Sequence, residues 1–514
     1  MLLFQYDLLV ALAVISLWWP LSYLLSWFLH KRRVSKLIRN IPSLDDHPFL
    51  GSALRFMGKN NEELMEVLED IPSKTKIPFV FWLGPKSFLV IDHPDDIQTV
   101  MNSNGCMEKG YIYNFFNRGT ALFAAPAHVH KRQRKQLSSS FNNQVNWSFL
   151  PIFNQKSNLF IRNVGRHIDK GHFDVMHLTS AYTLDTVCAT VLGTHMKIQD
   201  GENTDYMEAF SEWLSAVARR MANVFLYPDF IYKLTQAYRI ECDWLTRSEI
   251  MPNKVIDQKM SQLKESNSND PIIEKDDDDD DEDDQKYEKP QIFIDRLLKL
   301  YSKGIVTDQE IRDEVNLIIF AGHDTSAFTI AMAIFLLAIH PKIEKRVMKE
   351  LNEVLGDQPV DADLTMEQVN QLTYLEQVIK ETLRLYPAVP ILLRHCTEDT
   401  KLANCVVPAG TEVVISIMTV HRRKDIWGDD ADEFNPDHFS RESKRSPYAF
   451  MAFSNGTRYC VGQKFAFISV KIILAKLFRK YRISTHLGMD DIKFRLEVTC
   501  KPANGIMVEI EERT

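Results

Sequence analysis

"FSNGTRYCVG", residues 453–462, places one cysteine, Cys460, between Gly456 and Gly462, with Arg458 two positions before it. The residues that follow, "GQKFAFISVKIILAKLFRK" from 462 to 480, read as a helix. The thiol therefore stands at a helix N-terminus, where the dipole and unpaired N–H groups push it toward thiolate. The two glycines allow a turn and a close approach by a flat group, and Arg458 offers a fork for carboxylates. Such a thiolate can be a nucleophile, a zinc ligand or an iron ligand. A nucleophile needs a base, and the loop holds no histidine; zinc needs three more ligands; haem takes one thiolate from the protein.

The other six cysteines, at 106, 188, 242, 396, 405 and 500, show no CxxC pair and no zinc-type spacing. An odd, scattered set suits a reducing compartment, with most of these thiols acting as small buried hydrophobes. With 514 residues, 45% of them hydrophobic and 25% charged, the chain is globular and large enough for a sizeable core. The net charge is −8, but the unbroken acidic run Asp276 to Asp284 carries nine negative charges, which leaves +1 for everything else. The run reads as a solvated surface loop at about 265–290.

Leu8 to Leu29 carries no charge over a length that spans a bilayer as a helix, and Pro20 is tolerated within it. Lys31, Arg32, Arg33, Lys36 and Arg39 follow directly and hold the remainder of the chain on the cytosolic side. The expected organisation is an anchor over 1–30, a basic, proline-stiffened linker over 31–50, and one catalytic domain over 51–514.

Thr307-Asp308-Gln309-Glu310 has capping-box spacing and opens a long apolar helix that reaches Pro341. In its middle, "FAGHDTS" (320–326) gathers poor helix formers. Thr325 can bond back to the Ala321 carbonyl, which bends helices and frees backbone acceptors. Further on, Glu381 and Arg384 share a helix face that Pro387 ends, and "PAGTEVV" from Pro408 reads as a strand pair.

Together these stretches resemble the cytochrome P-450 superfamily over roughly residues 40 to 510. Phe453-x-x-Gly456-x-Arg458-x-Cys460-x-Gly462 resembles its haem-binding signature. Ala321-Gly322-x-Asp324-Thr325 looks like its oxygen-activation helix, Glu381-x-x-Arg384 its buried pair, and Phe434-x-Pro436-x-x-Phe439 the locking loop. The resemblance implies a mainly α fold with small β-sheets (α+β) behind an N-terminal transmembrane helix. It makes Cys460 the axial ligand of haem b, with Phe453 packed beside the sulfur and Gly456, Gly462, Ala321 and Gly322 around the cofactor. Arg458, Arg394, Arg134 and His130 would hold the propionates, and His130 stands where the family usually has Trp. Asp324 and Thr325 would relay protons to dioxygen. Glu381, Arg384 and His438, the last in place of the usual Arg, would be structural.

"FAGHDTS", Glu314 and "VHRRKDIW" (420–427) are most similar to the microsomal fatty-acid ω-hydroxylase clan (family 4-like), including its insect branches. Many of its members esterify a Glu at the position of Ala321 to haem; alanine cannot, so non-covalent haem is expected.

The expected activity is monooxygenation of lipophilic substrates at the endoplasmic reticulum membrane. No GxGxxG occurs, so electrons come from NADPH through a separate NADPH-cytochrome reductase, with cytochrome b5 as a further donor. Lys131, Arg132, Lys135, Lys444, Arg445 and Lys464 could steer that acidic partner. Tyr111, Tyr113, Phe115, Phe116 and Phe123 lie where the family covers the distal haem face, and "FLYPDFIY" (225–232) could dip into lipid. No nucleic acid is expected as a partner, and the catalytic unit is expected to be monomeric. The rival functions are a haem-thiolate isomerase or dehydratase acting on lipid hydroperoxides, and a non-catalytic haem carrier or sensor.

Overall fold

A computed structural model of the chain describes residues 18, 21–22, 24–44, 47–116, 121–269, 289–440 and 445–513, without the side chains of 266–269. The acidic run Asp276 to Asp284, Lys444 and most of the Leu8–Leu29 stretch lie outside these residues.

The central element is the helix Asp308–Ile339. Its capping box is complete: the Thr307 hydroxyl accepts from the Glu310 N–H at 3.2 Å, and the Glu310 carboxylate accepts from the Thr307 N–H at 2.9 Å. The helix runs unbroken through "FAGHDTS" even though the Thr325 hydroxyl donates to the Ala321 carbonyl at 2.7 Å. Burial along nearly its whole length outweighs the poor local propensity. At Gly322 a Cβ would lie 3.0 Å from Val187 Cγ2, so glycine lets the equally buried helix Val175–Val191 close on the central one. Helices Leu150–Gly165, Thr373–Leu385 and Gln463–Lys480 complete the main core around these two.

A five-stranded sheet flanks the helices, with Phe79–Leu83, Lys86–Ile91, Glu412–Ser416, Ile391–His395 and Glu108–Lys109 in that spatial order. All its pairings are antiparallel except that of Lys86–Ile91 with Glu412–Ser416. The mainly α fold with small sheets matches the expectation. "PAGTEVV" does not form one strand pair: Val406–Val407 pairs with Thr400–Lys401, and Glu412–Ser416 joins the large sheet. The hairpin Phe494–Glu497 with Thr499–Pro502 reaches back toward the central helix.

Residues 31–50 are not a free linker. Residues 24–37 are helical, Val34 and Ile38 are buried against the large sheet, and bridges Ser43–Val80 and Gly51–Leu83 tie the segment to it. Apolar side chains on the inner face of this short helix make it part of the body. Among the described residues, Asp308–Ile339 is the one helix long and apolar enough to cross a membrane, and it is the buried core helix.

Candidate active site

The thiol loop is held by its own backbone. Asn455 accepts from the Gly456 N–H at 2.8 Å and donates to the Pro447 carbonyl, and the Cys460 N–H donates to the Phe453 carbonyl at 2.9 Å. Gly456 has φ +69°, and a Cβ there would sit 2.6 Å from the Met101 carbonyl oxygen, so glycine is required. Gly462 lies at φ −85° immediately before Gln463–Lys480, with Cys460 Sγ the nearest atom to its missing Cβ at 3.9 Å. Phe453 packs at 5.2 Å from Phe467.

Cys460 lies deep in the protein, yet its residue surface is accessible. Burial raises the thiol above its ordinary value and outweighs the Gly462 and Gln463 N–H groups and Arg134, which favour thiolate. The expected push toward thiolate is present in those N–H groups and Arg134.

Next to the loop is a group of like charges. Arg134 donates to the Tyr459 carbonyl at 2.9 Å and lies over the Tyr459 ring. Arg458 gives one bond, to the Ala125 carbonyl at 2.8 Å, while its buried Nε and Nη1 have no partner. Among the described residues, the buried Arg394 side chain bonds only the Leu393 carbonyl. Burial, followed by the nearby cations Arg458, Arg134, Lys109 and Arg394, pulls His130 down to about 3, so it is neutral and donates through one N–H. Burial and then Arg394 take Arg458 down to about 10. Lys109, paired in register with Arg394, is pushed far below its usual value by burial, Arg394 and Arg458. Sequence reasoning missed Lys109. Its only signal there was the adjoining Gly110, where a Cβ would collide with Leu393.

A cavity of about 260 Å³ is walled by apolar side chains, among them Phe116, Phe320, Leu393 and Val498, with Ala321 and Thr325 of the central helix. Of the predicted aromatic cluster, Tyr113, Phe116 and Phe123 line it; Tyr111 and Phe115 pack behind, against Tyr227. Gly322 meets Val187 on the side away from any ligand role for a side chain, so it can join the site only through its backbone. Val498, the apex of the C-terminal hairpin, holds φ +73°, a strained value for a β-branched residue.

Asp324 and Thr325 part company. Thr325 lines the cavity, whereas the Asp324 carboxylate is buried against the hairpin, accepting from the Thr499 hydroxyl and lying 3.1 Å from Lys501 Nζ. Burial works to raise this carboxyl, but Lys501, His323 and the Thr499 bond hold it below the usual carboxylate range. Thr499 also lines the cavity. Lys501 continues to Glu497 at 2.9 Å, and Glu497 to half-exposed Arg495 at 2.8 Å. Thr499 and Lys501 were not legible as partners of Asp324, nor Glu497 as a partner of Lys501.

The predicted structural group assembles completely. Arg384 bonds both Glu381 oxygens at 2.7 Å and the carbonyls of His421, Ala431 and Glu433. His438 Nδ1 lies 3.0 Å from Glu381 and its Nε2 3.3 Å from Asp430. Among the basic residues considered for partner steering, Arg132 pairs with Glu310, and Arg445 bonds the Ile426 and His438 carbonyls; Lys131, Lys135 and Lys464 are exposed.

The family profile described as Cytochrome P450 matches residues 41–510. The chain is 32% identical over 483 residues to Cytochrome P450 4c21 of Blattella germanica, covering 93% of this chain and 94% of that protein. It is 29% identical to Cytochrome P450 4c3 of Drosophila melanogaster over 96% of this chain and 93% of that protein. With Cytochrome P450 4V2 of Homo sapiens it shares 28% identity, over 93% of this chain and 90% of that protein. A profile that takes in the thiol loop, the central helix and the buried triad, with relatives matched nearly end to end, shows that the chain belongs to the cytochrome P450 family of haem-thiolate monooxygenases.

Proposed function

We propose that the protein is a membrane-anchored monooxygenase that hydroxylates lipophilic molecules, such as fatty acids, hormones or xenobiotics. Electrons come from NADPH through a separate NADPH-cytochrome reductase, with cytochrome b5 as a further donor. The observation that carries this reading is the cation group beside the thiol loop, where Arg458 leaves two buried N–H donors unpartnered. Buried like charges with open donors suit a dianion, and a haem with two propionates supplies one next to a thiol ligand. The residues therefore fit the group. Arg458, Arg394, Arg134 and His130 would hold the propionates, joined by Lys109, and Cys460 would ligate the iron.

Haem, when bound, supplies the activation of dioxygen. Cys460 would supply the thiolate ligand of that haem, and the Gly462 and Gln463 N–H groups would support its charge. Thr325 presents its hydroxyl on the cavity wall. Asp324, kept ionised, exchanges protons with the cavity through Thr499. Ala321 offers no carboxyl for an ester, so the cofactor is held without a covalent bond to the helix. The apolar walls exclude water and favour substrates whose reacting part is hydrocarbon.

Exposed Trp18, Leu21, Leu24, Leu25, Phe28 and Leu29 support the membrane anchor, and exposed Phe225 and Phe230 support contact with lipid. In this reading the protein sits on the endoplasmic reticulum membrane with Lys31 to Arg39 on the cytosolic side, and its catalytic unit is a monomer. Exposed Lys131, Lys135 and Lys464 offer the reductase a basic surface.

The test is a carbon monoxide difference spectrum of the reduced, purified protein, followed by a lipophile screen with reductase and NADPH. The expected result is a thiolate-type Soret band that Cys460→Ser abolishes, with product formed only when reductase is present. Retention of that band in Cys460→Ser overturns the ligand assignment.

A further inference from the structure

The large sheet holds a pair of thiols that the monooxygenase reading leaves unused. Cys106 precedes the strand Glu108–Lys109 and Cys396 follows its partner strand Ile391–His395, 290 positions away in the chain. Both side chains are buried, and their sulfurs lie 2.9 Å apart. Backbone bonds pin both flanks: the Thr397 N–H donates to the Gly105 carbonyl at 2.7 Å, and the Cys396 N–H to the Thr411 carbonyl at 3.0 Å. Two thiols already this close need only a small further approach to reach bonding distance, with no rearrangement of the strands that carry them.

We propose that Cys106 and Cys396 are an oxidative modification site, a dithiol that closes to a disulfide with hydrogen peroxide as the oxidant. Cys106 is the attacking sulfur. The contact with Cys396, followed by bonds from Thr400 and Ser103, lowers it against the opposing effect of burial, whereas Cys396 is raised. The Cys106 thiolate takes one peroxide oxygen and becomes a sulfenic acid, and the other oxygen leaves as water after protonation. The Cys396 sulfur then attacks the Cys106 sulfur, forming the S–S bond and expelling the second oxygen as water. In sum, two thiols and one peroxide give one disulfide and two waters, and both electrons reducing the peroxide come from the sulfurs. The crosslink ties the strand carrying Lys109 to the strand carrying Arg394, the two elements that bring these cations together.

The test uses the full-length, haem-loaded protein. It is exposed to stoichiometric hydrogen peroxide, alkylated under denaturing conditions and digested without reductant, and the peptides are weighed. The expected product joins the peptides containing residues 106 and 396, is lighter than the two together by about 2 Da, and separates on dithiothreitol treatment. In Cys396→Ser the crosslink is lost and Cys106 is recovered as sulfenic or sulfinic acid. Both thiols remaining fully alkylatable in the wild-type protein overturns the proposal, as does over-oxidation of Cys106 while Cys396 stays free. The wild-type peptides decide the matter even if the serine variant does not fold. The readout involves no turnover, so it stands or falls separately from the monooxygenase reading.

Discussion

Two of the buried charge clusters in this molecule are built on opposite plans. Around Glu381 and Arg384, both fully buried, the carboxylate and the guanidinium meet in a forked pair, and backbone carbonyls take the remaining donors. Arg458, Arg394, Arg134 and Lys109 gather around His130, and two nitrogens of Arg458 have no partner. A closed network is scaffold, since all its polar groups are satisfied from within; an open one is a site, since it is completed from outside.

The strongest way to break this contrast is to remove a partner from the closed cluster. Glu381→Ala leaves Arg384 buried and unpaired, at a cost of about 3–5 kcal/mol. Denaturant unfolding should show that loss with and without haem. Equal stability of variant and wild type would mean that the triad is not scaffold.

Arg458→Met should separate the clusters by sign. The haem-free protein is expected to unfold at the same or higher temperature, because a repelling charge is gone. Haem affinity should fall by about 1.5–3 kcal/mol, the range for a bond to a charged group. Haem transfer to a competing apoprotein measures the second effect and calorimetry the first.

Lys501→Met tests a third arrangement, in which an acid beside the cavity is held ionised by one lysine. The Asp324 value is depressed in the folded protein, so its contribution to stability is present above the unfolded carboxyl value and lost as pH falls through the folded one. Without Lys501 that acid limb should move to higher pH, and product per NADPH should become more sensitive to acid. Stability curves against pH, with and without Thr499→Val, report the shift.

The smallest effect belongs to His438. Burial opposes its protonation, but Glu381 and Asp430 overcome this and raise it above its ordinary 6.5. A raised value means that the stabilisation is complete below 6.5 and lost as pH climbs through the folded value. His438→Arg should flatten that alkaline decline, and unchanged curvature in thermal melts across the window would show that His438 does not titrate there.

The parts of this design that sit close together in the chain were legible beforehand. The capping box at Thr307, the back-bond of Thr325 to Ala321 and the helix after Gly462 each depend on residues within a few positions of one another. What escaped reading depends on distant strands. Lys109 reads as an ordinary surface lysine until its strand pairs with that of Arg394, and Asp324 finds Thr499 and Lys501 only when the C-terminal hairpin folds back. The same limit hid the docking of Val34 and Ile38 and the contact between Cys106 and Cys396. At Cys460 the loop and helix dipole are local and visible, whereas the desolvation that opposes them belongs to the whole fold.

The open cluster ties the lifetime of the polypeptide to porphyrin supply. The buried cations Arg458, Arg394 and Lys109 repel one another until a dianionic partner joins them, so binding and folding draw on the same free energy. A cell starved of iron would not keep a reservoir of sturdy, empty enzyme. Its newly made chains would loosen first around Arg458 and reach the proteases from there, which makes cofactor synthesis a control on abundance as well as on activity.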